Sequence, residues 1–128
     1  MQVLLDTHAL LWWLSDDPAL TKSARKAIAE TKNTIYVSAA SAWEIATKVR
    51  LGKLSSAIDL ASNFTELLER ELFQTLPISA EHAIRSGLLP GPHKDPFDRM
   101  LVCQAVTHGL TLLTPDRLIH QYHVNVKW

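Results

Sequence analysis

Short apolar runs alternate along this chain with stretches whose apolar residues recur at helical spacing. Gln2 to Leu5 is β-prone, and Ala9 to Leu14 after it reads as a helix broken by Asp16-Asp17-Pro18. Thr21 to Thr31 places Ala24, Ala27 and Ile28 on one face with Lys and Arg between them, which predicts a surface helix closed by Asn33. Thr34 to Val37 is β-branched and aromatic, a second strand, and Ser38 or Ser41 can cap a helix that runs to about Leu51, with Gly52 as its stop. Ile58, Leu60, Ala61, Phe64, Leu67 and Leu68 share one face of a single long amphipathic helix predicted over Ile58 to Leu72. Phe73 to Leu76 is a third strand, and a short helix from Ser79 ends near Gly87. Pro90-Gly91-Pro92-His93-Lys94 is a loop, after which Asp95-Pro96 opens a helix to His108, where Gly109 stops it. Leu110 to Leu113 is a fourth strand, and Val124 to Val126 a fifth at the edge.

Strands alternating with helices predict an α/β fold with a mainly parallel sheet of about five strands, covered on both faces by helices. A chain of 128 residues suits a single domain, 1–128, with a real core. Right-handed crossovers put the strand C-termini on one edge, where ligands bind at the point of strand-order reversal. Thirteen basic and thirteen acidic residues cancel, so no general field draws nucleic acid to the whole molecule, and any RNA or DNA must be held locally. The lone Cys103 excludes an internal disulfide and lies in an apolar helical run as a small core residue. With no basic leader before an apolar stretch and no run of membrane-spanning length, a cytoplasmic location is expected, with no membrane partner.

Candidate chemistry enters with four acids, Asp6, Glu44, Asp98 and Asp116, each placed just after a predicted strand or early in a predicted helix. Gathered at one edge without a Lys or Arg beside them, they need a divalent cation or protons. At roughly 4 Å and an effective dielectric near 20, each like-charged pair repels by about 4 kcal/mol. Hard oxygen donors suit Mg²⁺ or Mn²⁺. Each acid also has a structural reading. Asp6 can cap the first helix, Ser41-Ala42-Trp43-Glu44 fits a capping box, Asp98 lies in a first turn where acids complement the helix dipole, and Asp116 can shape its turn. If Ser38 is the true cap, Glu44 falls in the second turn and is free for a metal. Pro96 at the first helical position makes Asp95 the N-cap and separates it from Asp98.

Thr7 and Thr114 add hydroxyls beside two of the acids, able to orient a phosphate oxygen or to make turn hydrogen bonds. Arg99 is the cation expected nearest a substrate, with a structural ion pair as its other reading. His93 and Lys94 can meet a phosphate, although a solvated loop is the plainer expectation, and His120 with His123 matches no zinc pattern. Adjacent Trp12 and Trp13 point about 100° apart on a helix, so one is expected exposed, as a surface for another chain. Trp43 is expected to pack behind the acids.

Asp6-Thr7-His8-Ala9-Leu10-Leu11-Trp12, Ser38-Ala39 through Trp43-Glu44-Ile45, Asp95-Pro96-Phe97-Asp98-Arg99-Met100-Leu101 and Leu113-Thr114-Pro115-Asp116 form an ordered set. That set resembles PIN-domain proteins, specifically VapC-type toxins of type II toxin-antitoxin systems, and the resemblance covers nearly the whole chain. It implies a three-layer α/β/α sandwich and a metal-dependent endoribonuclease that cleaves single-stranded RNA. It also implies a homodimer inhibited by a cognate VapB-like antitoxin. In that reading Asp6 and Asp98 are the main ligands of Mg²⁺ or Mn²⁺, and Glu44 and Asp116 complete the shell directly or through water. Two rivals are a PIN-like module that binds RNA or a partner without cutting, and a receiver-like phosphorylatable domain. The receiver reading needs an acceptor Asp after the third strand, where this chain has Leu76-Pro77-Ile78.

Overall fold

The computed structural model describes residues 1–128. Its strands are β1 (Gln2–Leu5), β2 (Thr34–Ser38), β3 (Gln74–Leu76), β4 (Thr111–Leu113) and β5 (Val126–Lys127), all pairing in parallel in the order β3-β2-β1-β4-β5. Around them lie α1 (Thr7–Leu14), α2 (Lys22–Ala29), α3 (Ala39–Arg50), α4 (Ile58–Ser62), α5 (Phe64–Arg70), α6 (Ala80–Leu88) and α7 (Pro96–His108). The expected parallel five-stranded sheet is therefore present.

Period-two alternation in the central strands splits the interior into two cores. Val3 and Leu5 of β1, with Leu113 of β4, join Leu10, Ala24, Ile28, Ile45, Leu60 and Leu68 on one face. Leu4 and Leu112 point the other way, onto Leu101, Val102 and Ala105 of α7. α3 serves both, through Ala40 and Ile45. The strand order reverses between β1 and β4, whose C-terminal ends lie side by side with Leu5 paired to Leu113. Asp6 leaves β1 there, its N–H donating to the Leu113 carbonyl at 3.1 Å.

Differences from the sequence-based expectations have local causes. The long helix over 58–72 breaks at Asn63, whose backbone adopts φ −127° and whose side-chain amide donates to the Asp59 carbonyl at 3.1 Å. An Asn that bonds the preceding turn competes with helix propagation. Leu72 then takes a left-handed φ of +61°, which leaves its own side chain in solvent, buries Phe73 and delays β3 to Gln74. β5 pairs at Val126 and Lys127 rather than over 124–126. α1 begins two residues earlier than expected because Asp6 caps it, accepting from the Ala9 N–H at 2.7 Å. Trp43 is 62 % exposed and meets only the edge of Phe97 among aromatic rings, so it does not back the acids. No helix is long and apolar enough to cross a membrane.

One buried polar link sets the position of α7 against the sheet. Gln104, fully buried, accepts from the Ser38 hydroxyl at 2.5 Å and donates to the Pro77 carbonyl at 3.2 Å. It thereby joins the end of β2, the connection after β3 and the helix that carries Asp98. Truncating it leaves the buried Ser38 hydroxyl proton without an acceptor, releases the Pro77 carbonyl and opens a cavity. Gln104→Ala is expected to lower unfolding free energy by about 2–4 kcal/mol in urea titrations. A loss under about 0.5 kcal/mol would show that water replaces the link.

Candidate active site

The four acids reach the C-terminal edge of β1 and β4 from four different elements. Asp6 is the cap of α1, Glu44 lies in the second turn of α3, Asp98 in the first turn of α7, and Asp116 follows β4. Ser38, accepting from the Ala40 N–H at 2.9 Å, is the cap of α3. The capping-box reading of Glu44 is thereby excluded. Asp95 caps α7 through the Phe97 and Asp98 N–H groups, as Pro96 requires.

Asp6 and Glu44 are nearly inaccessible, at 2 % and 3 % exposure, and each is held at both oxygens. Asp6 Oδ1 takes the Ala9 N–H and Oδ2 the Thr114 hydroxyl at 2.7 Å. Glu44 Oε1 takes the Thr7 hydroxyl at 2.6 Å, and Oε2 takes Lys48 Nζ at 2.5 Å. Lys48 corrects the expectation of a cluster with no adjacent cation: one of the four charges is matched one helical turn away. Thr7 and Thr114, both buried, donate their hydroxyls to the Glu44 and Asp6 carboxylates. The Arg99 guanidinium donates to the carbonyls of His93 at 3.0 Å, Ser86 at 3.1 Å and Leu89, which ties the loop before α7 to α6.

Asp116 Oδ1 accepts the Leu118 N–H at 2.9 Å, and Oδ2 lies 2.7 Å from His93 Nε2. The same nitrogen is 3.2 Å from Asp98 Oδ2. His93 is buried, contrary to the solvated loop expected for it, and its ligand atoms with those of Asp98 and Asp116 lie within 4.8 Å of one another. Sequence spacing carries no sign of this, because the loop has no periodicity. Asp98 is the one of the four acids whose carboxylate accepts no protein hydrogen bond at either oxygen, Oδ2 standing only at ion-pair distance from His93.

Burial pushes the Asp98 carboxyl up to about 7, helped by repulsion from Asp95, Glu44 and Asp6 and opposed by His93. Burial likewise raises Asp6, against the bonds from Thr114 and Ala9, with Glu44 adding repulsion. Asp116 goes the other way: burial raises it, but the bonds from His93 and the Leu118 N–H outweigh that and hold it below the usual carboxylate range. Asp6, Glu44 and Asp98 are close enough to repel one another, while the ligand atoms that come within 4.8 Å are those of His93, Asp98 and Asp116. An all-carboxylate donor set in which the Asp98 oxygens accept no protein hydrogen bond fits a hard divalent cation such as Mg²⁺ or Mn²⁺.

The two tryptophans diverge as their helical spacing requires, but neither is fully exposed. Trp12 packs on Trp128 and lines a groove of about 880 Å³ that also carries Thr7, Lys48, Lys53 and Arg70. Trp13 packs on Phe73 and donates from Nε1 to Glu71 at 3.2 Å. Four of the remaining histidines pack locally, His8 on Trp12, His82 against His108, and His120 near the Thr114 carbonyl, while His123 is exposed.

Between its ordinary value of 3.8 and its folded value of about 7, Asp98 keeps a proton that the unfolded chain has lost. Its contribution to stability is therefore complete below about pH 4 and declines as pH rises through about 7. In EDTA, Asp98→Asn is expected to raise Tm near pH 8 and to change it little near pH 4.5, by scanning calorimetry. An unchanged or lower Tm near pH 8 would contradict this assignment of charge.

The strand order excludes the receiver-like rival, whose sheets run 2-1-3-4-5. Residues 3–124 match the family model of the PIN domain. The chain is 31 % identical over 121 residues to "Ribonuclease VapC22" of Mycobacterium tuberculosis, covering 94 % of this chain and 91 % of that protein. Its fold is similar to a chain of the VapBC2 crystal structure from Rickettsia felis bound to a promoter DNA fragment, with TM-score 0.72, 18 % identity and coverage of 99 % and 98 %. A chain of DNA-bound VapBC from Salmonella typhimurium is similar at TM-score 0.65, 16 % identity and coverage of 99 % and 97 %. With sequence, strand order and fold in agreement over nearly its full length, the chain belongs to the PIN-domain family.

Proposed function

We propose that this protein is a Mg²⁺- or Mn²⁺-dependent endoribonuclease toxin, a single PIN-like domain that hydrolyses phosphodiester bonds in single-stranded RNA. In this reading it works in the cytoplasm as a homodimer and is held inactive by a cognate VapB-like antitoxin. The observation that carries the proposal is the approach of Asp6, Glu44, Asp98 and Asp116 to the strand-order reversal, with the Asp98 carboxylate left without a hydrogen-bond donor. The relative named a ribonuclease and the fold's likeness to chains of VapBC complexes support the substrate and the partner.

Asp98 and Asp6 would hold the ion, with Glu44 and Asp116 completing the shell directly or through water. When bound, the ion supplies Lewis-acid stabilisation of charge on the phosphoryl oxygens during in-line attack by water. The chain's own contribution is to fix the carboxylates beforehand. Thr114 and the Ala9 N–H set Asp6, while Thr7 and Lys48 set Glu44, so neither reorients as charge develops. Lys48, Lys53 and Arg70 in the groove beside Thr7 offer local cations for the RNA backbone in a chain of zero net charge. Trp12 in the same groove offers an apolar anchor for the antitoxin, which would exclude RNA from it.

Cleavage of single-stranded RNA by the antitoxin-free protein is expected with Mg²⁺ and not with EDTA. Because removing groups that only support ligands costs about 10–100-fold, Asp98→Asn and Asp6→Asn should each lose more than about 100-fold. Cleavage that survives chelation and both substitutions would remove the metal mechanism. Folded protein that binds RNA under every condition and never cuts would favour the non-catalytic module. Trp12→Ala should weaken antitoxin binding by about tenfold or more, and Trp13→Ala by less, since Trp13 is engaged with Glu71 and Phe73. Equal affinity for Trp12→Ala and wild type would place the antitoxin elsewhere.

A further inference from the structure

His93 is held at every polar atom it has. Its backbone N–H donates to the Tyr122 hydroxyl at 3.1 Å, its carbonyl accepts from Arg99, and its ring Nδ1 accepts from the Asp95 N–H at 3.2 Å. The loop closes tightly over Tyr122 because Gly91, at φ +126°, has no side chain; a Cβ there would lie 2.6 Å from the tyrosine ring. An amide N–H only donates, so Nδ1 presents its lone pair to Asp95 and the ring proton sits on Nε2. That N–H bonds Asp116 Oδ2 at 2.7 Å, and Asp98 Oδ2 lies 3.2 Å from the same nitrogen at ion-pair distance. The imidazole has no lone pair left for a metal.

We propose that His93 is a positioning residue of the metal centre and not one of its ligands. Its Nε2–H bonds Asp116 Oδ2 and stands 3.2 Å from Asp98 Oδ2, so the two carboxylates sit side by side while the Asp98 oxygens stay unbonded and available to the ion. By distance alone His93, Asp98 and Asp116 look like a ligand triad, and it is the direction of the hydrogen bonds that separates their roles. Asp95 completes the device from the same short motif. Its carboxylate caps α7, which fixes Asp98, while its N–H fixes the ring that faces Asp98. A neutral donor at this point lowers the repulsion between two carboxylates without competing with a cation for the site.

The inference rests on the metal-dependent reading above, and the test separates the two. Mn²⁺ is titrated calorimetrically into the antitoxin-free wild type, His93→Gln and His93→Ala, with folding followed by circular dichroism. Electron spin-echo spectroscopy of the bound Mn²⁺ reads whether a nitrogen is coordinated. A Gln amide N–H reaches about where Nε2–H sits, so His93→Gln should bind Mn²⁺ within about threefold of wild type, and His93→Ala about 10–100-fold more weakly. Wild-type Mn²⁺ should show no coordinated imidazole nitrogen. A coordinated nitrogen that vanishes in His93→Gln overturns the proposal, as does a folded His93→Ala that binds like wild type. If His93→Ala does not fold, His93→Gln decides: near-native affinity supports positioning, and a loss beyond about 10-fold overturns it. Wild type that binds Mn²⁺ in this pattern but leaves RNA intact removes the ribonuclease reading and leaves the role of His93 standing. Wild type that binds no Mn²⁺ overturns both.

Discussion

Repulsion between carboxylates buried at one sheet edge is the constraint around which this site is built. Asp6 and Glu44 are almost sealed from water, and Asp98 is driven up to about 7 by that burial and by its acidic neighbours. Such a group persists only if donors or a cation offset the cost. The donors come from all sides: main-chain N–H groups of Ala9 and Leu118, hydroxyls of Thr7 and Thr114, the ammonium of Lys48 and the ring of His93. Together they match the oxygens of Asp6, Glu44 and Asp116 and leave the charge imbalance concentrated at Asp98. Below about pH 7 a proton would offset that residual imbalance, and above it a hard cation would.

The fold serves that constraint by topology. Only between β1 and β4 does the chain reverse its direction of travel across the sheet, so the segments after both strands emerge into the same crevice. Asp6 and Thr114 meet there across more than a hundred residues of sequence. Gln104 carries the constraint outward, since it anchors α7, and with it Asp98, to the end of β2 and to Pro77. The polar framework of the site and the packing of the sheet are thus coupled through α7.

Most of the architecture was legible because it follows from local signals. The strands β1 and β2, the Pro96 start of α7 and the Gly109 stop sit where expected, Gly109 at a left-handed φ of +65°. What escaped was decided by single side chains or by tertiary contact. Asn63 divides a periodic apolar stripe that by pattern alone reads as one helix, and Leu72 turns the chain by adopting a conformation that leucine disfavours. The four acids were legible as a set, since each stands at the same end of its element. Their partners were legible only in part. Lys48 stands four residues from Glu44 on one helix, a spacing that signals a pair; His93 becomes a site residue only because Tyr122, far along the chain, closes the loop. Arg99 shows the limit of proximity in sequence, since three carbonyls claim the guanidinium beside Asp98.

The most direct measurement is the anomalous difference density of crystals soaked in Mn²⁺. The account predicts a peak in coordinating contact with Asp98 and with Asp6, with the His93 ring still bonded to Asp116. A peak elsewhere on the surface, or an empty crevice in crystals of protein that cleaves RNA, would contradict it.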